Sequence, residues 1–462
     1  MNTLPTTLSA MATTVPGDAL WRVDSVGVML LILVGVIAAA VLPYAHRSLR
    51  GDRYGVVVTS AIAIMLVATA VVSIAGPLWM LAIAWTTSTV ATLIAMGFGG
   101  GRRAIVRSAP WLLAADLALW AAVLLIAAGA SSDVVALLLV TAAVIRCALP
   151  PAHVWLIDSL YAPTPVSAAL HGGIVNGGGI LVITQFATVA QSDIAIITLA
   201  TIAAVAIVVG VLASLVRTDV KGRLVMSTVA QMGFMLLCAA LGLIAAALLH
   251  LVAHGFYKSA HFLASNDGVD RRAADRRAPH APSLAPSARW ARRTLGALLP
   301  VVTLVLTALA IYPGGRGAAE LIVLIVIAAA FGAAGSRLTM LVPGTARAFA
   351  AALAASAGAA VFVVVTSALT AAVAVPTTAD SLGTRTAIVL AVVALVTLAA
   401  LAVVRQWAPT SGPALALLAF GHSLGAARVA VTRSNTVTPS MPTRPLESTH
   451  PEKKPATMGV PA

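Results

Sequence analysis

Leu248–Ser265 reads L-L-H-L-V-A-H-G-F-Y-K-S-A-H-F-L-A-S, an apolar segment in which His250, His254 and Lys258 recur every four residues. In an α-helix each such step turns by ~40° and rises by ~6 Å, so the three side chains form one polar column. Ionisable residues are costly inside a membrane, and those that persist commonly line an ion or proton path. The segment therefore predicts a membrane helix that handles protons; a structural polar cluster between two helices is the alternative.

The composition is that of a helical membrane protein. Hydrophobic residues make up 60% of the 462 residues, charged residues make up 10%, and the mean hydropathy is +1.00. These values exclude an ordinary soluble domain. The net charge of +14 comes mainly from arginines in loops, so it reports membrane topology rather than a nucleic-acid partner. Cys147 and Cys238 fit no metal-ligand spacing, and no metal site is expected in the chain.

Lysine usage supports a proton-handling role. The chain has four lysines, of which Lys453 and Lys454 lie near the polar C-terminus, while Lys221 and Lys258 lie in or beside apolar segments. A buried lysine can lose its proton, whereas an arginine effectively cannot. Lys221 and Lys258 are therefore candidate residues of a proton or cation pathway.

Thirteen apolar runs are long enough to cross a membrane as helices. They are residues 25–44, 54–76, 77–98, 110–130, 134–150, 165–187, 194–216, 224–242, 243–264, 295–312, 318–335, 348–374 and 386–404. A weaker run, 412–431, is a fourteenth span or an interfacial helix. The run 134–150 is short for a full crossing, which predicts broken or re-entrant helices. We expect an all-α polytopic membrane protein with about 13–14 transmembrane helices.

Polar segments divide the chain into regions. Residues 1–24 are expected to form an N-terminal segment without a cleaved signal peptide, 25–431 a transmembrane transporter domain, and 432–462 a disordered polar tail. The insertion 266–293 is expected to be a disordered cytoplasmic loop, or alternatively a docking surface for a cytoplasmic subunit.

The basic loops all fall on one side of the membrane if the thirteen spans alternate. They contain His46–Arg53, Arg102–Arg107, Arg217–Arg223, Arg271–Arg293 and the pair Arg337 and Arg347. The positive-inside rule makes this side cytoplasmic. The expected location is the cell inner (plasma) membrane, with lipid around the helices.

A second group of polar residues surrounds four prolines. The stretch R-C-A-L-P-P-A-H-V-W-L-I-D runs from Arg146 to Asp158, and A-P-T-P-V-S-A-A-L-H from Ala162 to His171. Prolines interrupt regular helix and free backbone carbonyls, which membrane proteins tolerate only where protein or water satisfies them. Such breaks are typical of transport sites. The residues singled out here are Arg146, His153, Pro163, Pro165, Ser167, His171 and Asn176.

At these residues the chain resembles the proton-conducting transporter family. This family includes the antiporter-like membrane subunits of respiratory NADH–quinone oxidoreductase (subunit L), of Mrp-type cation/proton antiporters and of membrane-bound hydrogenases. Three blocks between Arg146 and Gly268 carry the resemblance: P-A-H-V-W-L-I-D with A-P-T-P-V-S-A-A-L-H, then D-V-K-G-R-L-V-M-S-T-V-A-Q-M-G-F-M from Asp219, and H-x3-H-x3-K from His250. The resemblance implies an antiporter-like fold with inverted repeats and broken helices.

Two details make the chain similar to the membrane subunit of Dab-type inorganic-carbon accumulation complexes. They are L-H-G-G-I-V-N-G-G-G around His171 and Asn176, and the presence of His261 three residues after Lys258. This resemblance implies a large cytoplasmic partner related to zinc-dependent carbonic anhydrases, which would hydrate CO2 to bicarbonate, driven by H⁺ or Na⁺ flow. The alternatives are an antiporter-like subunit of a redox or Mrp-type complex, and a membrane anchor that only docks a partner.

The chain also departs from the family pattern. Arg146 stands where the family has a lysine, and the stretch 84–88 (A-W-T-T-S) lacks the family's glutamate. Asp116 is the one acid well inside a first-half apolar run, and it is either the counter-charge to Arg146 or a helix-packing residue. A first-half deprotonation step is therefore not expected, although Arg146 and Asp116 stay candidates for the cation path.

We expect Lys258 to exchange a proton and His250, His254 and His171 to pass it on. Burial disfavours the charged form of a lysine, and histidine titrates near neutral pH. His153 and His261 are expected nearer the cytoplasmic mouth. The sequence has no dinucleotide fingerprint, haem-ligation signature or iron–sulfur cysteine set, so no cofactor and no catalytic centre are expected in this chain.

Overall fold

The computed structural model describes residues 19–130, 132–265, 285–312, 317–372, 381–407 and 412–425, and these residues are arranged as helices joined by short turns. In chain order the helices are α1 (Ser25–Ser48), α2 (Gly55–Ile74), α3 (Leu78–Gly100), α4 (Arg102–Ala127), α5 (Ser132–Arg146), α6 (Val154–Asp158), α7 (Thr164–Gly172), α8 (Gly177–Thr184), α9 (Phe186–Val189), α10 (Asp193–Val216), α11 (Val220–Ala240), α12 (Ile244–Ala264), α13 (Pro286–Ile311), α14 (Ala318–Leu341), α15 (Thr345–Ala372), α16 (Leu382–Trp407) and α17 (Gly412–Gly425). Single turns of 3-10 helix occur at Ser159–Tyr161 and Ile174–Asn176. Within the described part of the chain, β pairing is limited to an isolated bridge between Trp21 and Ala75.

Each of the thirteen predicted spans lies on helical chain, twelve of them on one helix and the span 165–187 on α7, α8 and α9. Eleven of the described helices are long and apolar enough to cross a membrane, with α7 and α8 together forming one of them. Helix α5 has 15 residues, which is short for a crossing. Helix α12 is long enough, but its three histidines and its lysine lower its hydropathy. The all-α polytopic fold class is confirmed.

The span at 164–184 is interrupted in its middle, beyond the proline-containing entry at which the sequence predicted a break. Pro163 precedes the first residue of α7, and the chain leaves α-helical geometry at Gly173 before α8 begins at Gly177. This span lies at the centre of the bundle, because 94% of its most apolar stretch is buried. A side chain at Gly172 would collide with the Ser259 hydroxyl, and one at Gly178 with the Ala143 carbonyl. Glycine is required here because α5 and α12 approach the broken span so closely.

Helices α11 and α12 form an antiparallel hairpin around a left-handed glycine. Gly242 has φ +75, a conformation that side-chain-bearing residues rarely adopt. Its N–H donates to the Ala239 carbonyl at 2.9 Å, and the Leu243 N–H donates to Cys238 at 2.9 Å, which closes the end of α11. The turn places the Lys258 end of α12 beside the first turns of α11.

The start of α13 corrects the predicted loop at 266–293. Residues 286–293 are helical, with Pro286 in the first turn, where a missing N–H is harmless. Arg292 is buried and its Nη1 donates to the Val342 carbonyl at 3.1 Å, so the arginines that suggested a loop belong partly to helix packing. Residues 266–284 lie outside the described part of the chain.

Helix α17 occupies part of the weak run at 412–431. Its described length of 14 residues is shorter than the roughly 20 residues that a crossing helix needs. It packs on α10, where a side chain at Gly421 would lie 2.9 Å from the Leu212 carbonyl. Residues 426–431, the tail 432–462 and residues 1–18 of the N-terminal segment lie outside the described residues.

Gly210 tests the close packing of α10 on α11. An added Cβ would touch the Ala230 backbone nitrogen and lie 2.8 Å from its Cα. We expect Gly210→Ala to lower the free energy of unfolding by about 1–3 kcal/mol through overpacking, measured as thermal unfolding in detergent. Gly35→Ala is the matched control, since nothing lies within 4 Å of its added Cβ. Equal stability of the Gly210→Ala protein and the control would contradict the close contact.

Candidate functional site

Lys258 is fully buried and its amine is held by the neighbouring helix α11. Its Nζ donates to the Leu224 carbonyl at 2.8 Å and to the Ser227 hydroxyl at 2.6 Å. The three ion pairs among the described residues do not include Lys258, so no carboxylate neutralises this amine there. A buried cation with neutral partners is weakly stabilised in its charged form, which makes proton release chemically feasible.

A threonine connects His171 to the same carbonyl. The Thr228 hydroxyl donates to the Leu224 carbonyl at 3.0 Å, and the His171 Nδ1 lies 3.0 Å from that hydroxyl. A hydroxyl has one hydrogen, so Thr228 accepts from His171 when the ring proton is on Nδ1 and donates to Nδ1 in the other tautomer. The His171 Nε2 is buried with no hydrogen-bond partner among the described residues, so it is available to give or to take a proton.

His250 and His254 lie along α12 as the four-residue spacing predicted. Their ring centroids are 5.9 Å apart, and His254 is 3% exposed. Within the described residues neither ring nitrogen of His254 has a hydrogen-bond partner. His171 is also near His254, and it stacks on Phe262 at 4.3 Å. The structure thus brings His171, His250, His254 and Lys258 into one buried region between α7, α11 and α12.

Ser227 and Thr228 are functional candidates that the sequence reasoning missed. Both lie in the M-S-T-V-A-Q part of the second motif block, but no role followed from spacing on a single helix. Their roles depend on side chains from α7 and α12, which only the folded arrangement brings within reach. A hydroxyl next to a buried lysine can donate or accept a proton, so both residues belong to the site.

Arg146 lies in a separate buried cluster with α3 and α4. It is 2% exposed, and its Nη1 donates to the Thr89 hydroxyl at 2.7 Å. Its Nη2 contacts the Ser88 hydroxyl and the Trp85 carbonyl, and the guanidinium lies 4.6 Å from the Trp85 ring. The Thr89 hydroxyl in turn donates to Asp116 Oδ1 at 2.8 Å.

Asp116 faces Arg146 through a bridging hydroxyl. The two charges are not among the ion pairs of the described residues, and Thr89 connects them, so the carboxylate lies near the guanidinium without contacting it. A guanidinium keeps its proton, so a fixed network around Arg146 cannot relay one in the way a lysine can. Thr89 lies one residue beyond the stretch 84–88 that lacks the family's glutamate, and the sequence did not predict its bridging role.

Lys221 has a structural partner outside the histidine column. Its Nζ donates to the Leu160 carbonyl at 3.0 Å and to the Ala162 carbonyl at 2.5 Å. Pro163 and Pro165 have no N–H, so the backbone before α7 needs other donors. The Ser167 hydroxyl adds one, to the Ser159 carbonyl at 3.4 Å. Lys221 therefore stabilises the broken entry to α7, and its part in a cation pathway stays a prediction.

The remaining predicted residues lie around the site. Asn176 donates to the Gly172 carbonyl at 2.7 Å across the interruption of the span. His261 is exposed and packs on the Tyr257 ring at 4.2 Å, away from the column. His153 Nε2 lies 3.3 Å from the Leu424 carbonyl of α17. No group of three or more His, Cys, Asp or Glu side chains in the described part of the chain is arranged to hold a metal.

Thr89 can be tested by removing its hydroxyl. Thr89→Val breaks the bridge between Arg146 and Asp116 and leaves two buried charged groups short of one partner each. We expect the free energy of unfolding to fall by about 1–3 kcal/mol, measured by thermal unfolding in detergent. The control is Thr87→Val, because the exposed Thr87 hydroxyl bonds only the Ile83 carbonyl of its own helix. Unfolding at the same temperature in both variants would refute the bridge.

His153 predicts a pH dependence of stability. It lies between α5 and α6, where burial lowers its pKa, opposed by the carbonyls of Leu424 and Pro151. The folded state therefore prefers the neutral ring, so the stabilisation is complete above the ordinary value of about 6.5 and is lost as the pH falls below it. Unfolding temperature should fall between about pH 7.5 and about pH 5.5, and fall less in His153→Gln, which keeps a donor but does not titrate. Identical pH profiles of the two proteins would contradict this assignment.

The part of the chain that contains Arg146, His171 and Lys258 matches a known family of membrane proteins. Residues 118–309 match the family described as NADH:quinone oxidoreductase/Mrp antiporter, TM. The chain is similar to the Mrp complex from Dietzia sp. DQ12-45-1b, with a TM-score of 0.53 and 22% identity over 90% of this chain and 53% of that chain. At this level of identity the structural likeness concerns the fold.

Curated relatives match a shorter stretch. A "Probable inorganic carbon transporter subunit DabB" of Bacillus anthracis is 46% identical over 135 residues, and one of Hydrogenovibrio crunogenus is 47% identical over 135 residues. These alignments cover 29% of this chain and 26% of either relative. The chloroplastic "NAD(P)H-quinone oxidoreductase subunit 5" of Glycine max is 36% identical over 132 residues, which is 28% of this chain and 18% of that protein. Residues 118–309, which include Arg146, His171 and Lys258, thus match the family described as NADH:quinone oxidoreductase/Mrp antiporter, and the chain resembles the DabB subunits over 135 residues.

Proposed function

We propose that this chain is the membrane subunit of an energy-coupled inorganic-carbon accumulation complex, in which it conducts H⁺ or Na⁺. The single observation that carries the proposal is the buried amine of Lys258, which lies beside three histidines, is held by Leu224 and Ser227, and has no carboxylate partner in the described part of the chain. The identity of 46–47% with DabB subunits over 135 residues supports inorganic carbon as the substrate class.

In the proposed mechanism Lys258 releases and takes up the coupling proton. Ser227 is the hydroxyl bonded to the amine, and Thr228, which is held on the same Leu224 carbonyl, is bonded to His171. Because the carbonyl only accepts hydrogen bonds, the proton passes between Lys258 and His171 through an intervening water. His254 and His250 continue the column along α12, with rings close enough for transfer through an intervening hydroxyl or water. Arg146 and Asp116 hold fixed charge in the first-half helices.

The proposed partner is a large cytoplasmic zinc protein related to carbonic anhydrases. This chain supplies ion flow, and the partner supplies the hydration of CO2 to bicarbonate, with the zinc in the partner. The basic loops would lie on the cytoplasmic side of the inner membrane, so the partner would dock on a positively charged surface. Nucleic acid has no part in this proposal.

The partner assignment is tested by purifying the tagged full-length chain from its native cells. We expect a large zinc-containing protein to co-purify, and vesicles holding the pair to accumulate inorganic carbon until a protonophore or a sodium ionophore collapses the gradient of the coupling ion. Redox subunits co-purifying instead would support a quinone-oxidoreductase role, which agrees with the 36% identity to the Glycine max subunit. Accumulation that survives both ionophores together would contradict ion coupling.

Ser227 offers a matched test of the relay within α11. Ser227→Ala removes one of the two partners of the Lys258 amine, so we expect uptake to fall by roughly tenfold, the effect of one hydrogen bond to a charged group. Ser214→Ala is the control, because that hydroxyl bonds only the Val211 carbonyl of its own helix. Equal uptake by the two variants at equal expression would remove Ser227 from the pathway.

A further inference from the structure

Four segments at the helix ends form one surface, which we call the basic end face. It consists of residues 46–54, 98–107, 154–163 and 217–223. The Tyr54 and Phe98 rings lie 5.1 Å apart, and a side chain at Gly99 would collide with the Pro163 ring. The Lys221 amine bonds the backbone of the third segment. These contacts join the four segments at the same end of the helix bundle.

The basic end face has an excess of positive charge. Its cations are Arg47, Arg50, Arg53, Arg102, Arg103, Arg107, Arg217, Lys221 and Arg223, and its acids are Asp52, Asp158 and Asp219. The acids already have partners in the chain, an arginine for Asp158 and for Asp219 and a backbone N–H for Asp52. The arginines other than Arg107 and Arg217 are exposed, and the ion pairs of the described residues do not include them. A partner that binds here therefore needs an acidic surface.

Three aromatic side chains are exposed on the same face. Tyr161 is 54% exposed, Phe98 is 49% exposed and Tyr54 is 38% exposed. The Arg53 guanidinium lies 5.3 Å from the centre of the Tyr54 ring. Tyrosine and arginine are over-represented among the residues that supply most of the binding energy in protein interfaces. An exposed group of these side chains on a charged face is therefore typical of a protein-binding surface.

The position of Tyr161 favours a soluble protein over lipid. The 3-10 turn that contains Tyr161 packs against α3, α6 and α11, so it lies between helices at the end of the bundle and away from its lipid-facing rim. The carbonyls on either side of Tyr161, those of Leu160 and Ala162, accept from Lys221. A protein that covers Tyr161 therefore contacts the backbone that leads into α7.

We propose that the basic end face is the docking surface for the soluble partner of this chain, which presents an acidic surface with a pocket for Tyr161. This inference rests on the proposed function, because it assigns the place where the proposed cytoplasmic partner binds. Tyr161 is the central contact, and Phe98, Tyr54 and Arg53 lie around it. The exposed arginines attract the acidic partner, so added salt slows its association.

Tyr161 tests the centre of the docking surface. The full-length chain in lipid nanodiscs is titrated with the partner that co-purifies with it, and Tyr161→Ala should bind about tenfold to a hundredfold more weakly. Tyr161→Phe keeps the ring and should bind nearly as well as the wild type. Trp290→Ala is the matched control, because Trp290 is 71% exposed near the start of α13 and lies outside the face. Wild-type affinity of Tyr161→Ala, or an equal loss in Trp290→Ala, would overturn the docking surface.

Charge reversal tests the electrostatic part of the inference. Arg53→Glu should slow association roughly tenfold at low salt, and the difference from the wild type should shrink as salt is added. Arg347→Glu is the control, because Arg347 is an exposed arginine in the first turn of α15 and lies outside the face. Equal association rates of the two variants would refute docking on the basic end face.

A photoreactive benzoylphenylalanine at position 161 identifies what covers the face. We expect it to cross-link to an acidic region of the partner in the purified complex. Cross-links to residues 426–462 of the same chain, or to lipid, would overturn the proposal.

The identity of the partner separates this inference from the proposed function. A redox subunit that is lost from Tyr161→Ala would uphold the docking surface and refute the proposed function. A zinc protein that binds the wild type and Tyr161→Ala equally would uphold the proposed function and refute the docking surface. A wild-type chain that purifies without any partner would refute both.

Discussion

The amine of Lys258 depends on the Leu224 carbonyl and the Ser227 hydroxyl, and much of the surrounding structure keeps these groups together. A positive charge buried in an apolar bundle is costly unless polar atoms surround it, and here those atoms are neutral. The Gly242 turn aligns α12 with α11, and the Ser259 hydroxyl ties α12 to the Ala168 carbonyl at 3.2 Å. Loss of this alignment would leave the amine without partners.

Arg146 and Lys258 are buried cations with different surroundings. Arg146 is enclosed by Trp85, Ser88 and Thr89, with Asp116 one hydrogen bond further on, and a guanidinium holds its proton throughout. Among the described residues Lys258 has fewer partners and no paired acid, and it lies near rings with nitrogens that lack hydrogen-bond partners. The surroundings of Arg146 suit a permanent structural charge, and those of Lys258 suit a group that gains and loses its proton.

Periodicity in the sequence predicted the helices and the histidine column well, because both depend on local spacing along one helix. The prolines predicted the irregular entry to α7, because their backbone effects are also local, but not the interruption at Gly173 within the span. Contacts between helices were not predictable in this way. Thr89 and Thr228 gained their roles from partners 57 residues away in sequence. The hydrogen bonds of Lys221 to the backbone carbonyls before α7 likewise depend on the folded arrangement.

Arginine at position 258 tests the account most directly, because it keeps the positive charge and a similar reach but does not release its proton. Proton uptake into vesicles should be measured for the wild type and for Lys258→Arg, with the amount of assembled protein determined in the same preparations. The account predicts that Lys258→Arg assembles and takes up no protons above the background of empty vesicles. Uptake by Lys258→Arg at the wild-type rate would contradict the central role of this amine.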